Sequence, residues 1–178
     1  MKTISVPAKE QVSEQSQAIF DAIQKKIGKV PNLYATIGYS ASALKGLLDF
    51  EQAFAGTAFS PVEKEAINLV VSQVNECDYC LAAHTMLAGM KGVAQEEILH
   101  FRQGRAEDGK LASVLQLAQS IAANKGNAPE NLKEDFFSHG YDEAALIELI
   151  GLITARTFTN YAYSVTRIPV DFPAAPKL

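Results

Sequence analysis

Both cysteines of this 178-residue chain, and one of its three histidines, fall in the stretch ECDYCLAAH, Glu76 to His84. A thiolate is a nucleophile and a metal ligand, but a free thiol titrates near pH ~8.5, so a cysteine that reacts near neutrality needs help to ionise. A CxxC partner, an adjacent imidazole and a helix N-terminus are three sources of that help, and Cys77, Cys80 and His84 provide the first two directly. The third follows if a helix starts here, with Asn75 as its N-cap and Glu76 and Asp78 placing negative charge in the first turn. On such a helix Cys77 and Cys80 stand at i,i+3, close enough for a disulfide, and His84 continues their face at i+4 from Cys80. His84 is then the natural base for Cys80, taking the thiol proton and returning it to a leaving group. Helix position alone makes Cys77, nearer the N-terminus, the easier thiolate.

Two plainer readings compete. Free cysteines are among the most buried residue types, and a helix histidine is often a satisfied structural one, so either residue alone would read as core. Alternatively Cys77, Cys80 and His84 offer two sulfurs and a nitrogen to zinc. Structural zinc takes four ligands, and no spacing recommends Glu65, His100 or His139 as the fourth, so no metal is expected.

The surrounding chain favours small molecules and other proteins as partners. With 48% hydrophobic residues, a formal charge of −4 and a pI near 5.4, it suits one compact domain over residues 1–178, its core at about 18–166. No dense Lys/Arg run marks a nucleic-acid or anionic-membrane footprint. No signal-type or spanning apolar run occurs either, so the cytoplasm is expected, where a cysteine pair is more often catalytic or redox-active than structural.

Helical periodicity dominates, so the fold should be all-α. Ile19, Ile23 and Ile27 space a first helix ending at Gly28, and KVPNLY reads as a turn around Pro31. A second helix runs from about Ala41 to Phe54. Ser60, Pro61 and Glu63 form a capping box opening a third, whose AINLVVSQV is apolar on nearly every side and should be central. Short helices follow in GVAQEEILHFRQG and APENLKEDFFSHG, flanking an outer amphipathic one with Leu111, Val114, Leu115, Ala118, Ile121 and Ala122 on one face. The last helix, DEAALIELIGLITARTFTNYAYS, is again apolar nearly all round, and an extended tail ends the chain. Laid over the third helix at an offset near 80, it suggests a degenerate repeat with matching kinks, Asn160 falling opposite Cys80.

Eleven residues separate Glu65 from Cys77, so the chain carries Glu-x11-Cys-x2-Cys-x3-His as Glu65, Cys77, Cys80 and His84. This pattern resembles the alkylhydroperoxidase D (AhpD)-like branch of the carboxymuconolactone decarboxylase superfamily. The segments GKVPNLYATIGYSASAL and FTNYAYSVTRIPVDFP are similar to flanking segments of its peroxidase-related members, so the likeness covers most of the chain. The resemblance implies an AhpD-like helical bundle with two central buried helices, working as a homo-oligomer without metal or bound organic cofactor. It further implies a thiol peroxidase acting on alkyl hydroperoxides or hydrogen peroxide and recharged by a thiol or dithiol reductant, protein or small molecule. By the same resemblance Cys80 attacks, Cys77 resolves, and Glu65 with His84 relays protons. Tyr79 stands where some members have a second histidine, which removes one proton donor. Phe158, Asn160 and Tyr161 are candidates for a pocket wall.

The pattern also imposes a geometric demand. Twelve residues of straight helix rise about 18 Å, so the chain must break near Asn75 for Glu65 to join the cysteines. Three other activities stay open at this level: thiol–disulfide oxidoreductase, lactone decarboxylase, whose branch generally lacks the cysteine pair, and a zinc-stabilised helical module.

Overall fold

Short polar side chains close most of the helix N-termini. In the structure, a computed structural model describing residues 3–178, a 3-10 turn at Lys9–Gln11 precedes nine helices, and no strand occurs among the described residues. They are α1 Glu14–Ile27, α2 Asn32–Ile37, α3 Ala41–Ala53, α4 Pro61–Val74, α5 Asp78–Met90, α6 Gln95–Arg102, α7 Gly109–Ala123, α8 Glu130–Ser138 and α9 Glu143–Thr166. Side chains of Ser13, Ser40, Ser60, Asp108 and Asp142 accept backbone N–H groups that the first turns leave unpaired. At Ser60 the expected capping box is complete, since the Glu63 carboxylate takes the Ser60 N–H in return at 2.6 Å. KVPNLY does more than turn: Pro31 is the N-cap of α2, so the proline opens a helix that the sequence reading missed.

α4 is the central helix, packed by α5, α6, α7 and α9. Its Ala66, Ile67, Leu69, Val70 and Val71 have no exposed surface, and burying each of the larger ones is worth about 1.5–3 kcal/mol. α7 is not the outer helix expected. It lies against α4, α8 and α9, and Ser113 and Leu117 are buried in addition to the predicted face.

α9 runs unbroken for 24 residues, whereas its suggested repeat partner breaks between α4 and α5. It turns Leu149, Ile153, Arg156, Asn160 and Tyr163 inward and leaves Ile147, Ile150, Phe158, Tyr161 and Val165 outside. Gly151 lets it approach closely, for a Cβ there would lie 2.1 Å from the Phe54 ring.

The break between α4 and α5 decides the site. Glu76 adopts φ 51, its N–H reaches the carbonyl of Gln73, and the Cys77 N–H reaches that of Ser72. This is a Schellman motif with glutamate at the left-handed position that glycine usually fills. The chain folds back at once, so α5 returns along α4. Asn75 is therefore the C-cap of α4, and the N-cap of α5 is Cys77 itself. The tail beyond Thr166 straps over this corner: Asp171 accepts from the Tyr79 hydroxyl at 2.5 Å, Phe172 meets the Tyr79 ring edge-on, and Arg102 reaches the Pro176 carbonyl. Among the described residues, no helix is long and apolar enough to cross a membrane.

Candidate active site

The reversal at Glu76 brings the second turn of α4 beside the second turn of α5. Glu65 Oε2 then lies 2.6 Å from His84 Nδ1, although 19 positions separate them in sequence. Lys91, just past α5, holds the other carboxylate oxygen at 2.8 Å. Burial by itself would raise the Glu65 carboxyl, but the His84 and Lys91 contacts override it and hold the group down at about 2. A carboxylate here accepts the Nδ1 proton, which leaves Nε2 as the nitrogen free for proton transfer.

Cys77 and Cys80 are both free thiols and both buried, in the smaller of two apolar clusters, with Phe20, Leu33, Leu44 and Tyr163. The Cys80 N–H donates to Cys77 Sγ at 3.3 Å, so the sulfur serves as the helix cap. Hydrogen bonding from the Cys77 thiol stabilises a thiolate at Cys80 and holds Cys80 below its ordinary value despite burial, with the charges of Arg156 and His84 adding to the effect. The same bond, together with burial, pushes the Cys77 thiol up. Position on the helix alone favoured Cys77 as the thiolate. The fold reverses that order, because Cys77 is wholly enclosed and serves Cys80 as donor.

All four residues of the Glu-x11-Cys-x2-Cys-x3-His pattern are thus gathered at one corner. Cys80 and His84 line a cavity of about 460 Å³ whose walls are mostly apolar: Leu33 from α2, Met86, Leu87 and Met90 from α5, and Phe172 from the tail. Arg156 and Thr159 of α9 complete the lining beside Cys80, and the Cys80 thiol points its weak donor at Thr159 Oγ1 across 3.9 Å.

Several contributors escaped the sequence reading. Arg156 left one signal, a lone cation inside an apolar helix, where a charge is rarely placed without a purpose. Asn160 does sit beside the motif, yet as a fully buried brace that accepts from Asn75 at 2.9 Å and donates to Ser72 at 3.2 Å. Phe158 and Tyr161 do not line the cavity beside Cys80, although Phe158 lines a separate shallow groove with Leu47 and Phe50. They project outward from α9, because the cavity lies on the helix's opposite face. Among the described residues no three His, Cys, Asp or Glu side chains converge in a way that could hold a metal ion.

Comparison with known proteins bears on this arrangement. Residues 41–123, which include the whole motif, match the family model of the carboxymuconolactone decarboxylase family. The match spans a little under half of the chain. Solved structures share the fold over nearly the whole chain. One is an uncharacterized peroxidase-related protein from Silicibacter sp. TM1040, 22% identical over 95% of this chain and 89% of that one, with a TM-score of 0.79. Another is the AhpD-core, peroxidase-related protein of Ralstonia eutropha JMP134, 17% identical over 90% and 87%, also at 0.79. The debrominase Bmp8 is 16% identical over 96% and 93%, at 0.80. At these identities the likeness is one of fold. No curated protein matches the chain.

Proposed function

We propose that this AhpD-like domain is a thiol peroxidase that reduces organic hydroperoxides or hydrogen peroxide through Cys80 and Cys77. The observation that carries the reading is the Glu65–His84 pair, 2.6 Å apart, flanking a cavity whose reactive group is a thiol held toward its thiolate by a neighbouring thiol. In this scheme the Cys80 thiolate attacks the terminal oxygen of ROOH. The O–O bond breaks, Cys80 becomes a sulfenic acid, and the departing alkoxide takes a proton from His84 to leave as ROH. Cys77 then attacks the sulfenic sulfur, expelling water and forming the Cys77–Cys80 disulfide. The dithiol has lost two electrons and two protons, and a thiol or dithiol reductant restores it by exchange. Glu65 keeps the imidazole oriented throughout, and Lys91 keeps Glu65 charged. A cytoplasmic setting, where thiols are held reduced, suits that cycle.

Two other electrophiles fit the same dithiol. A disulfide would make the protein a thiol–disulfide oxidoreductase, although Cys80 is only 2% exposed and a protein disulfide would have to reach it through the cavity. A brominated aromatic would give the debromination that Bmp8 is named for, with ArBr and two thiols yielding ArH, HBr and the disulfide. The apolar cavity walls favour a compound of that kind over a protein partner.

Intact mass of the reduced protein separates the three. After about one equivalent of alkyl hydroperoxide the wild type should lose two hydrogens, and Cys77→Ser should trap one oxygen on Cys80. An unchanged mass with hydroperoxide, alongside rapid oxidation by a disulfide or a bromoaromatic, refutes the peroxidase reading. Self-association belongs to the same proposal, with the outer stripe of α9, Ile147, Ile150, Tyr161 and Val165, as the surface that a second copy covers. Sedimentation of Ile147→Lys should then give the smaller species.

A further inference from the structure

The Glu65–His84 pair approaches Cys80 from α4 and α5, and a second polar chain reaches the same sulfur from α9. Thr159 Oγ1 lies 3.9 Å from Cys80 Sγ and accepts from Arg156 Nη1 at 3.0 Å. On its far side the guanidinium contacts Glu51 through Nη2 at 3.5 Å, and Asn68 accepts from Nε at 3.0 Å. The Tyr34 hydroxyl in turn donates to Glu51 at 3.1 Å. Arg156 is 9% exposed, and a guanidinium taken that far from water is costly unless its charge is answered. Its carboxylate partner is set back beyond the usual charge-assisted distance of about 2.7–2.9 Å, while its remaining surface lines the cavity beside Cys80. The cation is therefore incompletely neutralised by Glu51 and shares with the Cys80 sulfur both the Thr159 hydroxyl and the cavity wall.

We propose that Arg156, seated by Thr159 and Asn68, is a positioning residue that holds Cys80 as its thiolate, and that Glu51 sets how much of its charge the sulfur feels. The proposal rests on Cys80 as the attacking sulfur but not on which electrophile it attacks.

The charged groups around Cys80 divide by sign. His84 on α5 and Arg156 on α9 favour the thiolate. Glu51 on α3 and Glu65 on α4 oppose it, each answered by a cation, Arg156 and Lys91 respectively. Tyr34 on α2 and Tyr79, which donates to Asp171 of the tail, are both pushed up by burial and a carboxylate neighbour and stay neutral. Tyr163 on α9 is raised by burial as well. Cys77 acts as donor. Without Arg156 the sulfur would lose the α9 cation while Glu51 on α3 stood unopposed, and the thiolate would be disfavoured.

The test is the pH dependence of Cys80 alkylation by iodoacetamide in fully reduced protein, with peptide masses scoring Cys80 and Cys77 separately. Arg156→Met should move the Cys80 midpoint up by about one pH unit or more, a loss of roughly tenfold in thiolate below both midpoints. Arg156→Lys should recover at least half of that shift, and Glu51→Gln should move the midpoint down. A purely structural arginine would not give opposite signs for the two members of one ion pair. Should Arg156→Met fail to fold, the variant carrying both Arg156→Met and Glu51→Gln removes both charges together. Its midpoint should still lie above that of the wild type, because Arg156 shares Thr159 with the sulfur whereas Glu51 is linked to it only through Arg156. A midpoint at or below the wild-type value in either arginine variant, or an upward move in Glu51→Gln, overturns the proposal. Alkylation needs no peroxide, so that failure would leave the peroxidase reading standing, whereas an unchanged mass with hydroperoxide would do the reverse.

Discussion

Glu65→Gln tests whether the buried carboxylate at the centre of the site is held charged by its neighbours. Burial raises a carboxyl, yet His84 and Lys91 together bring Glu65 from 4.5 down to about 2. The gap between those values, at ~1.36 kcal/mol per pH unit, amounts to about 3 kcal/mol of native-state stability. A group whose folded value is depressed contributes above its unfolded value and loses that contribution as pH falls toward the folded one. The window here is therefore from 4.5 down to about 2. Glutamine keeps the volume and can still accept from His84, so the comparison isolates the charge. Urea unfolding followed by circular dichroism should find the wild type more stable than Glu65→Gln by about 3 kcal/mol at pH 5, shrinking to roughly half that near pH 3. A difference that stays constant between pH 5 and pH 3 would refute the reasoning, for it would mean that Glu65 titrates alike in both states.

Three further predictions concern the corner that carries the cysteines. Replacing the fully buried Asn160 with leucine strands Asn75 and Ser72 without partners, so Asn160→Leu should cost about 2–3 kcal/mol and lower Tm by several degrees in a thermal melt. Cys77→Ser substitutes a better N-cap for a sulfur one, so the reduced variant should melt at or slightly above the wild-type temperature, whereas Cys77→Ala should lose about 1 kcal/mol. Glu76→Gly relieves a left-handed backbone that costs an ordinary residue about 1–2 kcal/mol, offset in part by glycine's own entropy, for a net gain of roughly 0.5–1 kcal/mol. A lower Tm in Glu76→Gly would show that the Schellman geometry is not under strain.

By itself the sequence determined what is local. Helical period, the capping box at Ser60 and the run AINLVVSQV were enough for an all-α fold with α4 at its centre, because caps and apolar faces are set by residues within a few positions of one another. Cys77, Cys80 and His84 were legible for a related reason, since their spacing puts them on one helix face, whereas Glu65 entered only through the family resemblance. The break near Asn75 was demanded by the spacing and is where α4 ends, but which helix Asn75 caps was not legible, for it reads equally well as an N-cap or a C-cap. The choice fell to the Schellman turn at Glu76, whose αL conformation no glycine announces. Which thiol ionises also escaped, because helix position favours Cys77 while hydrogen bonding, burial and the charge of Arg156 favour Cys80. Arg156 and Asn160 come from α9, some eighty positions along the chain, and act on the cysteines only because α4 and α9 pack together. Local pattern can name the reactive groups. Their protonation depends on which charges the fold brings near them and how much water it removes, and those are properties of the packed structure.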